Sequence, residues 1–215
     1  MTNTTLSLGE QAYTLIEEMI VTLQLAPGRV FSESDLSTEI NIGRTPMREA
    51  LQRLANERLL TILPRRGIMV TEVRITDLLA LLETRRTLER LVSSKAARRA
   101  TPEHCEDLRK CAEAIIEAEA KGEMTEFMRQ DRVFDQILGE ASRNSFATRA
   151  LQPLHAHCRR FWYLHKNTGD LKHSAALHAE VMDAVAKGDE AGAAGASDKL
   201  IDYLEKFTRT ALDLD

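Results

Sequence analysis

Two groups of residues in this chain could do chemistry. The first lies in Gly43-Arg44-Thr45-Pro46-Met47-Arg48-Glu49-Ala50-Leu51-Gln52-Arg53-Leu54. Met47, Ala50, Leu51 and Leu54 recur at helical spacing and would face a core, which leaves Arg44, Thr45, Arg48 and Gln52 on the outer face. Arg44 and Arg48 are one helical turn apart, so both guanidinium groups can enter one groove and pair with guanine edges. Beyond them, Pro64-Arg65-Arg66-Gly67 reads as a turn with two cations at its tip, placed to touch phosphates or a minor groove. The second group consists of polar residues that interrupt apolar helical stripes. Arg85 breaks Leu78, Leu81, Leu82, Leu88, Val92. Asp131 breaks Phe127, Phe134, Leu138, with Asp135 one turn on. His155 lies among Leu151, Leu154, Cys158, Phe161, Trp162 and His165, and His178 among Val181, Met182 and Val185. Buried charge is costly unless it is paired or liganding, so these groups either satisfy one another or line a polar cavity. Asp131 and Asp135, at i and i+4, can approach one divalent ion. Imidazole favours zinc, nickel or iron, and carboxylate tolerates manganese or magnesium. An inward arginine suits an organic carboxylate.

The elements that would position these residues follow from pattern and punctuation. A short helix fits Glu33–Ile40, with Asn41-Ile42-Gly43 as the turn into the basic helix. Thr45 is expected as its N-cap and Pro46 in its first turn. Leu59–Leu63 and Ile68–Thr71 read as two strands joined by the Pro64–Gly67 turn. A helix-turn-helix followed by a two-stranded hairpin is a winged helix. After the short linker Val73-Arg74-Ile75-Thr76 the strand signals stop. Six helices are predicted at about 76–100, 102–121, 123–141, 145–166, 171–187 and 190–212. Thr76, Thr101 and Ser145 are expected as N-caps, and Gly122, Gly169 and Gly188 as helix ends. The fold class is therefore mainly α. A winged helix-turn-helix DNA-binding domain is expected over 1–73, and an all-α antiparallel bundle over 74–215.

The whole chain is formally −4, against indiscriminate binding to nucleic acid, yet residues 44–66 carry six arginines against Glu49 and Glu57. A small basic face on an acidic protein suits a specific DNA binder whose affinity falls with salt. The three cysteines, Cys105, Cys111 and Cys158, show neither paired metal spacing nor a disulfide framework, and read as reduced cytoplasmic thiols. No apolar run reaches membrane-spanning length and no signal peptide is expected.

Residues 7–73 resemble the DNA-binding domain of the GntR family of bacterial transcription regulators. The carrying residues are Leu25-Ala26-Pro27-Gly28, Glu33-Ser34-Asp35-Leu36, Arg44 through Leu51 and the Pro64–Gly67 wing; Ile42-Gly43 stands where the family often has Val-Ser. The rest resembles the ligand-sensing domain of the FadR-like (FCD) subgroup, through Glu83–Glu89, Asp131–Asp135 and His178 to Asp189. The resemblance implies a homodimer on a double-stranded operator, with a small-molecule effector in the helical domain. Its metal-binding members use one Asp and three His. Asp131 and His178 match two of these, while Asp135 and Leu200 stand where the others carry histidine. The implied site is thus a weakly held zinc, nickel, manganese or magnesium on Asp131, Asp135 and His178, with His155 able to turn in, or no ion. Arg85, Asp131, His155 and His178 are the implied effector residues, and Arg44, Thr45, Arg48, Gln52, Arg65, Arg66 and Gly67 the DNA-contacting ones.

The expected function is a DNA-binding transcription regulator modulated by a small metabolite, most simply a carboxylate. One alternative is a DNA-binding repressor whose helical domain senses nothing. A remote one is a metal-dependent hydrolase on Asp131, Asp135 and His178. The chain offers no general-base motif, no nucleophile with a nearby partner and no phosphate loop, so no enzyme is expected.

Overall fold

The structure, a computed structural model, describes residues 6–167 and 170–212. The chain divides into two compact units. One runs to Val73 and includes Arg159–Leu164; the other comprises Arg74–Cys158 and the residues from His165 onward.

In the first unit, α1 (Leu8–Val21), α2 (Glu33–Glu39) and α3 (Arg44–Asn56) are followed by strands β2 (Leu60–Leu63) and β3 (Gly67–Val70); a two-residue strand, β1 (Val30–Phe31), precedes α2. The sheet order is β1-β3-β2, antiparallel throughout, with Thr61 opposite Met69 and Ile62 opposite Ile68 in the hairpin. Strand β1 has no signal in the sequence, because two residues are too few to show alternation. Ala12, Tyr13, Ile16 and Ile20 of α1 pack with Leu36, Met47, Leu51 and Leu54 in one apolar core. The inward stripe of α3 is the one the periodicity predicts.

The start of α3 differs from expectation. Gly43, in extended conformation, is the N-cap and no side chain caps the end. The first helical bond runs from the Met47 amide to the Gly43 carbonyl (3.1 Å), which leaves Pro46 in the first turn, where a missing N–H is harmless. Thr45 is therefore a first-turn residue with an exposed side chain rather than a cap.

The turn before β3 depends on Gly67. Its φ is +107°, and a Cβ there would lie 2.6 Å from the Phe31 carbonyl oxygen of β1. Gly67→Ala should cost the winged helix about 1–3 kcal/mol through backbone strain and displacement of β1. Thermal unfolding checks this, and an unchanged midpoint would mean that β1 can move aside freely.

The second unit contains α4 (Ile75–Arg99), α5 (Pro102–Lys121), α6 (Met124–Ser142), α7 (Ser145–Leu164) as far as Cys158, α8 (Leu171–Ala186) and α9 (Glu190–Leu212). Helix α4 packs on α6, α8 and α9, and α5 packs on α6 and α8. Arg86 ties α4 to α9 through Asp202 (2.6 Å) and Glu205 (3.2 Å), and Arg90 pairs with Asp198. Thr101 caps α5 in a reciprocal box with His104, Pro102 follows it, and Gly122 ends the helix in the left-handed conformation. Gly188 likewise has positive φ just beyond α8. Gly169 lies outside the described residues.

Two expected caps in this second unit are displaced as well. Helix α4 begins at Ile75 after an extended Arg74, so Thr76 falls inside its first turn. At α7 the side chain of Asn144 accepts the Ala147 amide (3.2 Å), one residue earlier than the expected Ser145. Asn and Ser cap equally well, so sequence alone does not choose between neighbours. Among the described residues no helix is long and apolar enough to cross a membrane.

Candidate nucleic-acid interface and sensor core

Helix α3 presents Arg44, Thr45, Arg48 and Gln52 on an exposed face, and Arg65 and Arg66 stand exposed at the wing tip. The structure thus gives all six side chains the exposure a contact needs. Gly67 is different, since its role is the close approach to β1. The six arginines of this region are not equivalent. Arg53 turns towards α1, where it pairs with Glu10 (2.9 Å) and Glu57 (3.1 Å) and lies 3.7 Å from the centre of the Tyr13 ring. Its charge is absorbed within the domain. Arg48 makes an exposed pair with Glu33 of α2 (3.2 Å), a contact of the kind that contributes little in water and is readily given up to a phosphate or base.

In the helical domain the polar residues are held by four helices. Arg85 of α4 is buried and its Nε donates to Glu89 Oε1 at 2.6 Å. His155 of α7 is buried between two carboxylates, with Nε2 at 2.9 Å from Glu89 and Nδ1 at 2.9 Å from Asp135 of α6. His178 of α8, also buried, directs Nδ1 to the Ser174 carbonyl (2.8 Å) and Nε2 to Asp131 of α6 (2.8 Å). Phe127 and Phe134 pack edge-on against its ring.

These contacts set the charges. Burial alone would push the Glu89 carboxyl up, but the Arg85 charge and the His155 hydrogen bond outweigh it and hold it down at about 2. For His155, burial opposes the charged ring, and the Asp135 carboxylate overcomes both that and repulsion by Arg85, raising the pKa with help from Glu89. His178 is raised in the same way, its burial outweighed by Asp131 and the Ser174 carbonyl. Each ring faces an oxygen acceptor on both nitrogens, an arrangement that an imidazolium satisfies and a neutral ring does not.

Arg85, Asp131, Asp135, His155 and His178 all turn inward as the interrupted stripes predict, but they form two groups. Asp131 is brought to His178, whereas Asp135 is brought to His155. Glu89 is the residue sequence reasoning missed. The available signal was its position four residues after the inward Arg85, the spacing of a helical ion pair. His165 lies just past the end of α7 and is half-buried.

The donor set fits a divalent ion poorly. Among the described residues no group of three or more His, Cys, Asp or Glu side chains is arranged to hold a metal. Leu200 is 2% exposed and offers no donor. His155, expected as a replacement ligand, is instead engaged by Glu89 and Asp135. Cys111 donates to the Gln130 carbonyl (3.3 Å), and burial, with the nearby Asp131 and Asp135 charges, pushes its thiol up to about 12. A separate open groove of about 580 Å³ between α8 and α9 is lined by residues such as His173, Leu177, Lys199 and Phe207, and by none of the four expected effector residues.

A winged helix with an exposed basic recognition helix, followed by a helical bundle with polar groups in its interior, defines a class of protein: DNA-binding regulators with an appended sensing domain. Residues 8–70 match the family described as bacterial regulatory proteins, gntR family, and residues 80–203 match the FCD domain. The chain belongs to the GntR family of transcription regulators, with an FCD domain.

It is 28% identical over 162 residues to the HTH-type transcriptional repressor RspR of Escherichia coli K12, covering 75% of this chain and 71% of that one. It is 31% identical over 182 residues to an HTH-type transcriptional regulator in the unstable DNA locus of Streptomyces ambofaciens, covering 82% and 75% of the two chains. Among solved structures, E. coli McbR/YncC superposes with a TM-score of 0.83 at 20% identity, covering 97% of this chain and 100% of its own. That likeness shows a shared fold.

Proposed function

We propose that this regulator binds a pseudo-palindromic operator as a homodimer. The N-terminal part of α3 would enter the major groove and the Arg65–Arg66 wing would lie along the backbone or minor groove. The observation that carries this is the pair Arg44 and Arg48, exposed one turn apart at the start of α3, while Arg53 is consumed inside the domain. A single winged helix covers few base pairs, so two half-sites related by a two-fold axis supply the specificity. The helical domain is the larger surface for the dimer contact. Mass measured in solution at micromolar concentration, with and without DNA, should be that of a dimer. A monomer in both conditions would overturn the pairing.

The proposed effector is a small carboxylate bound in the interior of the helical domain, where Arg85 supplies the cation, with Asp131, His155 and His178 as the other inward polar groups. Glu89 engages Arg85 at Nε, and the ligand's carboxylate would meet the outer guanidinium nitrogens. A second reading, a repressor that senses nothing, is favoured by the mutual pairing of Arg85, Glu89, His155 and Asp135. A panel of small carboxylates tested by thermal unfolding separates the two. A ligand that binds only the folded state raises the midpoint, by about 2.7 kcal/mol of stability at a hundredfold excess over Kd. The sensing reading expects a rise that Arg85→Leu removes; no rise with any acid would favour the non-sensing reading.

A further inference from the structure

The FCD resemblance implies a weakly held ion in the interior of the helical domain or none, and the side chains there are committed to one another. We propose that this sensing domain is metal-independent, and that the pairs His178–Asp131 and His155–Asp135 brace α6 against α8 and α7 in the place of a coordinated ion.

The first support is the state of the donors. A histidine ligand must turn one ring nitrogen to the ion. His178 has Nδ1 on the Ser174 carbonyl and Nε2 on Asp131, both at 2.8 Å. His155 has Nδ1 on Asp135 and Nε2 on Glu89, both at 2.9 Å. Both nitrogens of each ring are engaged by oxygens of the bundle, so coordination of an ion would have to break at least one of these contacts.

The second support is the local charge. Arg85, Glu89, His155 and Asp135 form a continuous chain of contacts from α4 through α7 to α6. A divalent ion placed on Asp135 would stand near the Arg85 guanidinium in a poorly solvated interior, where like charges repel most strongly. The third support is Leu200, buried on α9 and unable to ligate. The thiol of Cys111 is turned to the Gln130 carbonyl.

The inference does not depend on the effector reading, because it concerns what holds the helices and not what they sense. Full-length protein is loaded separately with zinc, nickel and manganese, dialysed, and assayed by elemental analysis; thermal unfolding is then followed with and without EDTA. The expected result is substoichiometric metal and a midpoint moved by neither the ions nor the chelator. His155→Gln should melt lower by roughly 5 °C, with no recovery on adding zinc. About one equivalent of metal per chain, a midpoint that falls in EDTA, zinc rescue of His155→Gln, or a His155→Gln midpoint equal to that of the native protein would each overturn the proposal. If the variant does not fold, metal content and EDTA sensitivity of the native chain decide the matter.

Discussion

Glu89→Ala should destabilise the helical domain by about 3–5 kcal/mol, the cost of removing one partner from a buried ion pair and leaving its counter-charges without compensation. Glu89 lies between Arg85 (2.6 Å) and His155 (2.9 Å), and both of these are buried. Urea unfolding monitored by the helical circular dichroism signal measures the loss. A change below about 1 kcal/mol would indicate that Arg85 and His155 reach water once the carboxylate is gone.

The effect should depend on pH in a definite direction. Glu89 is lowered in the folded state to about 2, so its contribution is complete above its unfolded value of 4.5 and is lost as pH falls from there. His155 is raised, so its contribution is complete below its unfolded value of 6.5 and is lost as pH rises through the folded value. The difference between native protein and Glu89→Ala is therefore largest between those two unfolded values and shrinks on either side.

Arg44→Ala and Arg48→Ala should each cost about 1–3 kcal/mol of specific operator binding, with the fold intact. Both side chains are exposed, and neither contributes to the apolar core formed by Met47, Ala50, Leu51 and Leu54. The wing should behave differently. Arg65→Ala and Arg66→Ala should weaken binding to all sequences alike, and each should reduce the slope of log affinity against log salt by about one. Fluorescence anisotropy with operator and scrambled duplexes over a salt series distinguishes the two. Unchanged operator affinity in Arg44→Ala and Arg48→Ala would remove α3 from the interface. Arg53→Ala provides a contrast. It should lower the stability of the winged helix, because its guanidinium joins Glu10, Glu57 and the Tyr13 ring within the domain.

Much of this protein is legible in its sequence because the signals are local. The α3 stripe, the Arg65–Arg66 turn, the Thr101–Pro102 start of α5 and the glycine at the end of that helix each depend on residues within one or two turns of chain. The same periodicity identified Arg85, Asp131, Asp135, His155 and His178 as inward-facing, and all five are. Helix spacing reports which face a residue occupies, but it carries no information about which residue on another helix lies opposite. The family resemblance already implied that Asp131 and His178, 47 residues apart, are neighbours; only the tertiary structure gives Asp135 to His155 instead. It also brings Glu89 between Arg85 and His155 and turns Arg53 away from the basic face. In the same way β1 exists only because β3 supplies its hydrogen-bond partners. Partner choice inside a bundle follows from how the helices cross and rotate, which many distant packing contacts settle together. That choice decides which of the inward polar groups contact one another.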